Sequence, residues 1–87
     1  MDLRHIPPNP GVYLMLDESG QIIYIGKAKN LKKRVSSYFN RQNKEYKTEL
    51  LVAQIKDIQW ITTASEGEAF LLENNLIKKH QPRYNIL

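Results

Sequence analysis

The chain has 87 residues, of which 41% are hydrophobic, and its 13 Lys and Arg against 9 Asp and Glu give a formal net charge of +4. This length supports one small core with one site, and the absence of any apolar run near the ~18 residues that span a bilayer predicts a cytoplasmic protein. The absence of cysteine excludes disulfides, thiolate metal sites and cysteine nucleophiles, so any metal must be held by oxygen or imidazole ligands.

Two short runs rich in β-branched and aromatic residues come first in the chain. Gly11 to Leu16 and Gln21 to Gly26 are such runs, and residues 17–20 between them favour a tight reversal. We predict a β-hairpin with a register symmetrical about this turn, which places Tyr13 directly opposite Tyr24 on one face of the sheet; a bulge in the loop would break this register. Such a pair can be purely structural, since it typically adds ~0.2 to 1 kcal/mol. A glycine near each tyrosine would, however, let a backbone or a ligand come close.

Helical patterns and one more strand follow the hairpin. One helix is predicted after the capping residue Asn30 and another from Tyr46. Residues 58–63 have the composition of a third strand, and Ser65 opens a capping box for a last helix that runs to about His80. This order predicts an α+β fold, a small three-stranded antiparallel sheet flanked by helices. The apolar positions of the two middle helices are Leu31, Val35, Tyr38 and Phe39, and then Tyr46, Leu50, Val52, Ala53 and Ile55.

Basic residues are concentrated in two stretches of the chain. Clusters of this kind are typical of phosphate contacts, although a solvated helix face explains the charge pattern equally well. Arg34 and Tyr38 project from the same side of their helix and could converge with Lys27 on one phosphate. Alternatively, both cations are surface charges and Tyr38 packs with Phe39. The basic residues are Lys27, Lys29, Lys32, Lys33, Arg34 and Arg41 in the first stretch, and Lys78, Lys79 and Arg83 in the second.

Glu73 is the acidic residue that fits its helix least well. Its neighbours one turn away are Ala69, Phe70, Leu76 and Ile77, which places a carboxylate inside the apolar stripe. A buried carboxylate needs compensation from a metal ion, an arginine or a set of hydrogen bonds. The alternative is a glutamate at the edge of the stripe that pairs with a basic residue.

The motifs Gly-Val-Tyr at residues 11–13 and Tyr-Ile-Gly at residues 24–26 resemble the pair that names the GIY-YIG nuclease superfamily, with Val12 in place of isoleucine. The resemblance covers nearly the whole chain and is closest to the N-terminal domains of the UvrC family, the excinuclease subunits of bacterial nucleotide excision repair. It implies one endonuclease domain over residues 1–87, expected to be the N-terminal part of a longer protein. The resemblance continues through residues 26–34, 36–39, 66–73 and 81–85.

This resemblance also implies a role for particular side chains around one divalent ion, Mg²⁺ or Mn²⁺. Glu73 would be the sole protein carboxylate on the ion, Tyr24 would deprotonate or orient the attacking water, and Arg34 would stabilise transition-state charge. Because a free tyrosine has a pKa near ~10, Tyr24 would need nearby cations or a relay through Tyr13. The other implied catalytic residues are Tyr13, Lys27, Tyr38 in the water and phosphate network, and Asn85, which would order the site around Glu73. Contacts to DNA are expected from Lys27, Lys29, Lys32, Lys33 and Arg34.

The function implied by the resemblance is a metal-dependent endonuclease that makes the 3′ incision of nucleotide excision repair. Its expected partners are damaged DNA and, for the full-length protein, a complex of UvrB with DNA. We expect no membrane partner and a monomeric isolated domain. Two alternatives stay open: a catalytically inactive nucleic-acid-binding module with the same fold, and a stand-alone structure-specific nuclease of the same superfamily.

Overall fold

A three-stranded antiparallel sheet forms the centre of the structure, a computed structural model that describes residues 1–40 and 45–86. Its order is β2-β1-β3, and the helices lie on both faces. The predicted α+β class and order of elements are confirmed, with one short final helix added. The strands are β1 (Gly11–Leu16), β2 (Ile22–Ala28) and β3 (Asp57–Thr62), and the helices are α1 (Leu31–Tyr38), α2 (Tyr46–Gln54), α3 (Glu66–His80) and α4 (Arg83–Ile86).

The central strand β1 is buried along its whole length because helices cover it from both sides. Tyr13 and Met15 face a core formed with α1, α2 and α4. Val12 and Leu14 alternate to the opposite face, where Ala69 of α3 packs on them. The side chains on the face that packs with α1, α2 and α4 are therefore held in place by this packing, and Tyr13 is one of these side chains.

The register of the hairpin differs from the symmetrical one that the sequence predicts. Tyr13 pairs with Gly26, and Tyr24 pairs with Met15. Leu16 pairs with Ile22 and not with Gln21, so the loop is one residue longer than predicted, and a bulge at Ile23 adds one more residue to the shift of the later pairs. The prediction that Tyr13 lies directly opposite Tyr24 is therefore wrong. Both rings nevertheless share one face, with centroids 6.2 Å apart along the diagonal.

The glycines near the two tyrosines make room for the protein itself. A Cβ at Gly26 would overlap the phenol of Tyr13, and a Cβ at Gly11 would overlap the carbonyl oxygen of Ile61. The predicted close approach is thus present, but at both positions the space is taken by protein atoms and not by a ligand. Gly26 is the reason that the ring of Tyr13 can lie flat across β2.

We expect Gly26→Ala to destabilise the fold by about 1 to 3 kcal/mol, since the added methyl group displaces the ring of Tyr13. Urea unfolding measures this loss. The matched control is Gly67→Ala in α3, where a Cβ would meet only Ser65 Oγ at 3.8 Å. Because alanine favours a helix over glycine by about 1 kcal/mol, the control should gain stability. Equal stability of Gly26→Ala and the native chain would contradict the tight contact.

Side-chain caps fix where two of the helices begin. The Asn30 side chain accepts a hydrogen bond of 3.0 Å from the Lys33 amide, and Ser65 Oγ accepts one of 3.1 Å from the Glu68 amide. The carboxylate of Glu68 bonds the amide of Ala64, one residue before the position of a standard capping box. Both predicted starting points are confirmed.

The predicted apolar positions of α2 are buried only in part. Val52 and Ile55 pack on the core, whereas Tyr46 is 75% exposed, Leu50 is 43% exposed, and the buried Leu51 was not among the predicted positions. The apolar pattern of this segment was weak, and a shift of one position along a helix turns the buried face by about 100°.

Arg41, a residue of the first basic stretch, lies outside the described residues. In the part of the chain that the structure describes, no helix combines the length and apolar character needed to cross a membrane.

Candidate active site

Three tyrosines from the hairpin and α1 meet on one face of the sheet and form what we call the tyrosine cluster: Tyr13, Tyr24 and Tyr38. Their ring centroids lie 5.8 to 6.3 Å apart. The phenol oxygens of Tyr13 and Tyr38 share a hydrogen bond of 2.8 Å. Tyr13 is 1% exposed and Tyr38 is 8% exposed, whereas Tyr24 is half-buried. Tyr24 therefore presents the phenol of this cluster that solvent and substrate can reach.

Arg34 extends the cluster to the surface. Its Nη2 donates a hydrogen bond of 3.3 Å to the phenol oxygen of Tyr38, and its guanidinium lies 5.0 Å from the centre of that ring. The spacing of four residues on α1 brings the two side chains together, as predicted. Tyr38 is buried in the core, so of these two residues only Arg34 can contact a phosphate directly. A chain of contacts thus runs from Tyr13 through Tyr38 to an exposed cation.

The tyrosine cluster favours neutral phenols. Burial, together with the neighbouring Tyr38 and the negative charge of Glu73, raises the pKa of Tyr24 to about 12, although Arg34 acts in the opposite direction. Burial likewise raises the pKa of Tyr38 to about 12 and shifts the pKa of Tyr13 upward. The positive charge of Arg34 is therefore outweighed by burial. Without another cation, Tyr24 keeps its proton at neutral pH.

Glu73 lies along the partly buried stripe of α3. Its side chain is half-buried, and of its four neighbours one turn away, Ala69, Leu76 and Ile77 pack on the core. Only Phe70, which is 50% exposed, departs from the predicted stripe. Across residues 1–40 and 45–86, no ion pair reaches Glu73. The alternative of a glutamate that pairs with a basic residue therefore finds no support there.

The donor atoms at Glu73 suit a hard divalent cation. Among the described residues, no group of three or more His, Asp or Glu side chains could hold a metal ion together. A lone carboxylate with free oxygens can bind Mg²⁺, which keeps several waters and needs only one or two carboxylates. The cation would also offset the charge of Glu73 beside the tyrosine cluster. The residues present thus fit a site with one protein ligand.

Cations line an open cleft between the end of β2 and α1, which we call the basic cleft. Lys27, Lys29, Lys33 and Arg34 all reach it, and each is exposed. Lys32 is exposed as well but is not among the residues that line the cleft. The convergence of Lys27 and Arg34 is therefore present. The other lining residues, which the sequence analysis missed, are Pro8, Ala28, Asn30 and Ser37.

The sequence contains a pattern that could have placed Ser37 at the cleft, but none that could have placed Pro8 there. Ser37 lies three positions after Arg34 on α1, so helical spacing alone could have placed it beside the cleft. Pro8 gives no such signal, because the segment before β1 has no periodicity. It is held by backbone bonds of 2.9 and 3.1 Å from Leu31 and Lys32 to residues 9 and 7.

Asn85 acts on the backbone of β2. Its Oδ1 accepts a hydrogen bond of 2.8 Å from the amide of Ile25, and its Nδ2 donates one of 2.8 Å to the carbonyl of the same residue. Ile25 lies between Tyr24 and Gly26, so the contact holds the edge strand at the tyrosine cluster. The two hydrogen bonds go to β2 and not to Glu73, around which the resemblance placed Asn85.

We expect Asn85→Ala to cost about 1 to 3 kcal/mol of stability, since it leaves the amide and the carbonyl of Ile25 without these partners. Chemical denaturation measures this cost. Asn75→Ala, an exposed position on α3, is the matched control and should change stability little. A loss of stability of equal size at both positions would show that the hydrogen bonds to Ile25 do not contribute to stability.

Comparison with known proteins identifies close relatives of this chain. Residues 9–86 match the family model of the UvrC-like GIY-YIG domain. The UvrABC system protein C of Hydrogenovibrio crunogenus is 62% identical over 85 residues, which are 98% of this chain and 14% of that protein. The UvrABC system protein C of Methanococcus maripaludis is 57% identical over 86 residues, 99% of this chain and 16% of that protein. The chain thus spans about one seventh of the length of these curated relatives.

Solved structures match over nearly the whole chain. The crystal structure of the GIY-YIG N-terminal endonuclease domain of UvrC from Thermotoga maritima, bound to its catalytic divalent cation, magnesium, is 41% identical with a TM-score of 0.82. The match covers 94% of this chain and 89% of that one. Point mutants of the same domain, with one asparagine changed to alanine or one tyrosine changed to phenylalanine, also match with a TM-score of 0.82 and are bound to the divalent cation.

Proposed function

We propose that this chain, which belongs to the family of UvrC-like GIY-YIG domains, is a divalent-metal-dependent endonuclease domain that hydrolyses a phosphodiester bond of DNA. One observation carries the proposal: the accessible phenol of Tyr24 and the cation of Arg34 meet at Tyr38, and the half-buried carboxylate of Glu73 acts electrostatically on that phenol. A metal ligand and a group that can handle the proton of water are the two parts that hydrolysis of a phosphodiester requires.

We assign the cation to Glu73. A bound Mg²⁺ or Mn²⁺ supplies Lewis acidity toward the scissile phosphate and its leaving oxygen. In the Thermotoga maritima domain, the cation stays bound after substitution of one asparagine or one tyrosine. Those two side chains are therefore not required to hold it in that protein, which agrees with a carboxylate ligand. Glu73 is the acidic residue next to the tyrosine cluster here.

Tyr24 orients the attacking water in this proposal. Its phenol is the accessible one, and it accepts the proton of the water only when nearby positive charge offsets the effect of burial on its pKa. Tyr13 is too deeply buried to contact a substrate. It positions Tyr38 through the bond between their phenols, and Tyr38 in turn positions Arg34.

The basic cleft holds the DNA backbone in this proposal. Lys27, Lys29 and Lys33 contact phosphates, and Arg34 stabilises the negative charge that develops on the scissile one. Lys32 contacts the backbone from outside the cleft. Asn85 contributes indirectly, since it fixes the strand that carries Tyr24.

For the whole protein, we propose the 3′ incision of nucleotide excision repair on damaged DNA, in a complex with UvrB and DNA. The family match and the UvrABC relatives support this placement. We also propose that residues 1–87 form one endonuclease domain of a longer chain, and that the isolated domain is a monomer. Lesion recognition would then depend on partners and on other parts of the protein.

A nicking assay tests the proposal. Labelled duplex DNA is incubated with the longer protein of which this chain is proposed to be one domain, and with Mg²⁺ or Mn²⁺, with and without UvrB; EDTA is the control. We expect metal-dependent nicks, with damage specificity only when UvrB is present. Binding without cleavage under every condition would favour the inactive nucleic-acid-binding module. Cleavage that depends on DNA structure and is indifferent to UvrB would favour the stand-alone nuclease.

A further inference from the structure

Phe70 is an aromatic side chain of α3 that the fold leaves 50% exposed. Across residues 1–40 and 45–86, its ring belongs to neither hydrophobic core and forms no aromatic pair. Single exposed apolar side chains are common on protein surfaces, so exposure alone does not indicate a function. The position of this ring relative to the active site is what points to one.

Helix geometry places Phe70 on the flank of α3 that carries Glu73. Ala69 is fully buried and marks the direction in which the helix packs on the sheet. Measured around the helix from Ala69, Glu73 lies about 40° and Phe70 about 100° away in the same direction. Leu72 lies about 60° away in the opposite direction. Phe70 and Glu73 are therefore neighbours, about 60° apart around the axis and about 4.5 Å apart along it.

This flank of α3 faces the tyrosine cluster. The helix packs mainly on β2, the strand that carries Tyr24. The carboxylate of Glu73 acts electrostatically on the phenol of Tyr24, so the flank with Glu73 is the one turned toward that phenol. The proposed cation and the scissile phosphate lie at Glu73. The exposed ring of Phe70 is thus one helical turn from the bond to be cut.

The surroundings of Phe70 suit a flat, uncharged ligand better than a phosphate. One turn away on the same flank, the exposed side chains are Glu66, which is acidic, and Asn74, which is neutral. The basic residues of α3 all lie in its last turn, beyond Glu73. A phosphate at Phe70 would therefore meet the negative charge of Glu66. A nucleobase is neutral and has a π-face that stacks on aromatic rings.

A base can reach Phe70 only where it has left the helical stack. In an intact duplex both faces of each base are covered by its neighbours, and unstacking costs least at a damaged or mismatched position. The separation of about 4.5 Å between Phe70 and Glu73 along α3 is close to the rise of about 3.4 Å between successive nucleotides. The base therefore belongs to a nucleotide next to the scissile bond.

We propose that Phe70 is a base-stacking residue, which holds an unstacked nucleobase beside the phosphodiester bond that is cut. The basic cleft and the cation at Glu73 contact phosphates, whereas Phe70 contacts a base of any sequence, because every base has a π-face. The site then prefers a bond that adjoins a distorted position of the duplex. This inference rests on the proposed function for the position of the scissile phosphate and adds a substrate preference to it.

DNA that lacks single bases tests the inference. In the longer protein of which this chain is proposed to be one domain, single-turnover nicking is measured with Mn²⁺, UvrB and subsaturating enzyme. The substrates lack the base of one nucleotide at a time on either side of the cut. On intact DNA, Phe70→Ala should lower the rate by about 5- to 150-fold, the range typical of one lost stacking contact. On DNA without the stacked base, Phe70→Ala and the native protein should cut at similar rates.

Two further variants separate stacking from a structural role. Phe70→Tyr keeps an aromatic ring and should retain most of the native rate. Leu71→Ala removes a side chain that is 63% exposed and turned about 100° further around the helix, and it should match the native protein on every substrate. Equal losses for Phe70→Ala on DNA with and without the base would overturn the inference, because Phe70 would then act through protein contacts. A native rate for Phe70→Ala on intact DNA would overturn it as well.

A cross-linking measurement in EDTA separates this inference from the proposed function. Iodouracil is placed at successive positions of an unpaired DNA segment, and ultraviolet light links it to an aromatic side chain that stacks on it. We expect a cross-link at Phe70 that Phe70→Ala abolishes and Leu71→Ala preserves. Its absence overturns base stacking whether or not the protein nicks DNA. A cross-link at Phe70 in a protein that never nicks DNA contradicts the proposed function alone.

Discussion

Substitution of Glu73 by glutamine is expected to lower the rate of DNA nicking by about a thousandfold or more, because a metal ion contributes several kcal/mol to charge stabilisation in such reactions. Glutamine keeps the size of the side chain and removes its charge. In the described residues the carboxylate has no ion pair to lose, so the folded state should be little affected. Single-turnover nicking, together with calorimetric titration of Mn²⁺, measures both consequences.

The control for this prediction is Glu66→Gln. Glu66 is exposed in the first turn of the same helix, so its substitution removes an equal charge away from the tyrosine cluster. We expect normal nicking and normal Mn²⁺ binding. If Glu73→Gln bound Mn²⁺ as tightly as the native chain, the assignment of the metal to Glu73 would be wrong.

Replacement of Tyr24 by phenylalanine is expected to lower the nicking rate by about 10²- to 10⁴-fold, the range typical of a lost proton-transfer group. The ring remains to pack against the core, and only the phenol oxygen disappears. Binding of Mn²⁺ and of DNA should stay close to that of the native chain, so the loss should appear in turnover. Tyr46→Phe, at a position that is 75% exposed on α2, is the control and should retain full activity.

The pH dependence of the rate separates the two roles of Tyr24. Burial raises the pKa of Tyr24 to about 12, so the phenol is protonated at neutral pH and the phenolate fraction grows tenfold with each unit of rising pH below that pKa. If Tyr24 accepts the proton of the attacking water, the rate of the native chain rises with pH and Tyr24→Phe loses this rise. A rate that is independent of pH in both chains would show that Tyr24 only orients the attacking water and does not accept its proton.

Periodicity was sufficient to predict the elements of this fold but not the register that joins them. Leu31 and Val35 of α1 bury as their spacing predicts, and Asn30 and Ser65 cap their helices. The place of the bulge at Ile23 could not be foreseen, because an extra residue in an alternating strand leaves the composition unchanged. Tyr13 and Tyr24 still share one face, because the longer loop and the bulge together shift the register by two residues and side chains alternate with a period of two.

The site was predicted best where a local pattern brings side chains together. Arg34 and Tyr38 are one helical turn apart, and their contact follows directly from that spacing. The bond between Tyr13 and Tyr38, by contrast, joins residues 25 positions apart and depends on how α1 packs on the sheet. The same holds for Asn85, whose partner Ile25 is 60 positions away. Tertiary packing decides such contacts, and a single sequence does not encode them in a readable local pattern.

The way in which Asn85 binds β2 also affects how molecules of this protein meet each other. An edge strand with free amides and carbonyls can recruit a strand from another chain, which leads to aggregation. At Ile25 the side chain of Asn85 already occupies both groups, much as a neighbouring strand would. A second molecule therefore cannot extend the sheet across this point and cover Tyr24. The edge beside the tyrosine cluster is kept free of strand addition and open to a nucleic acid.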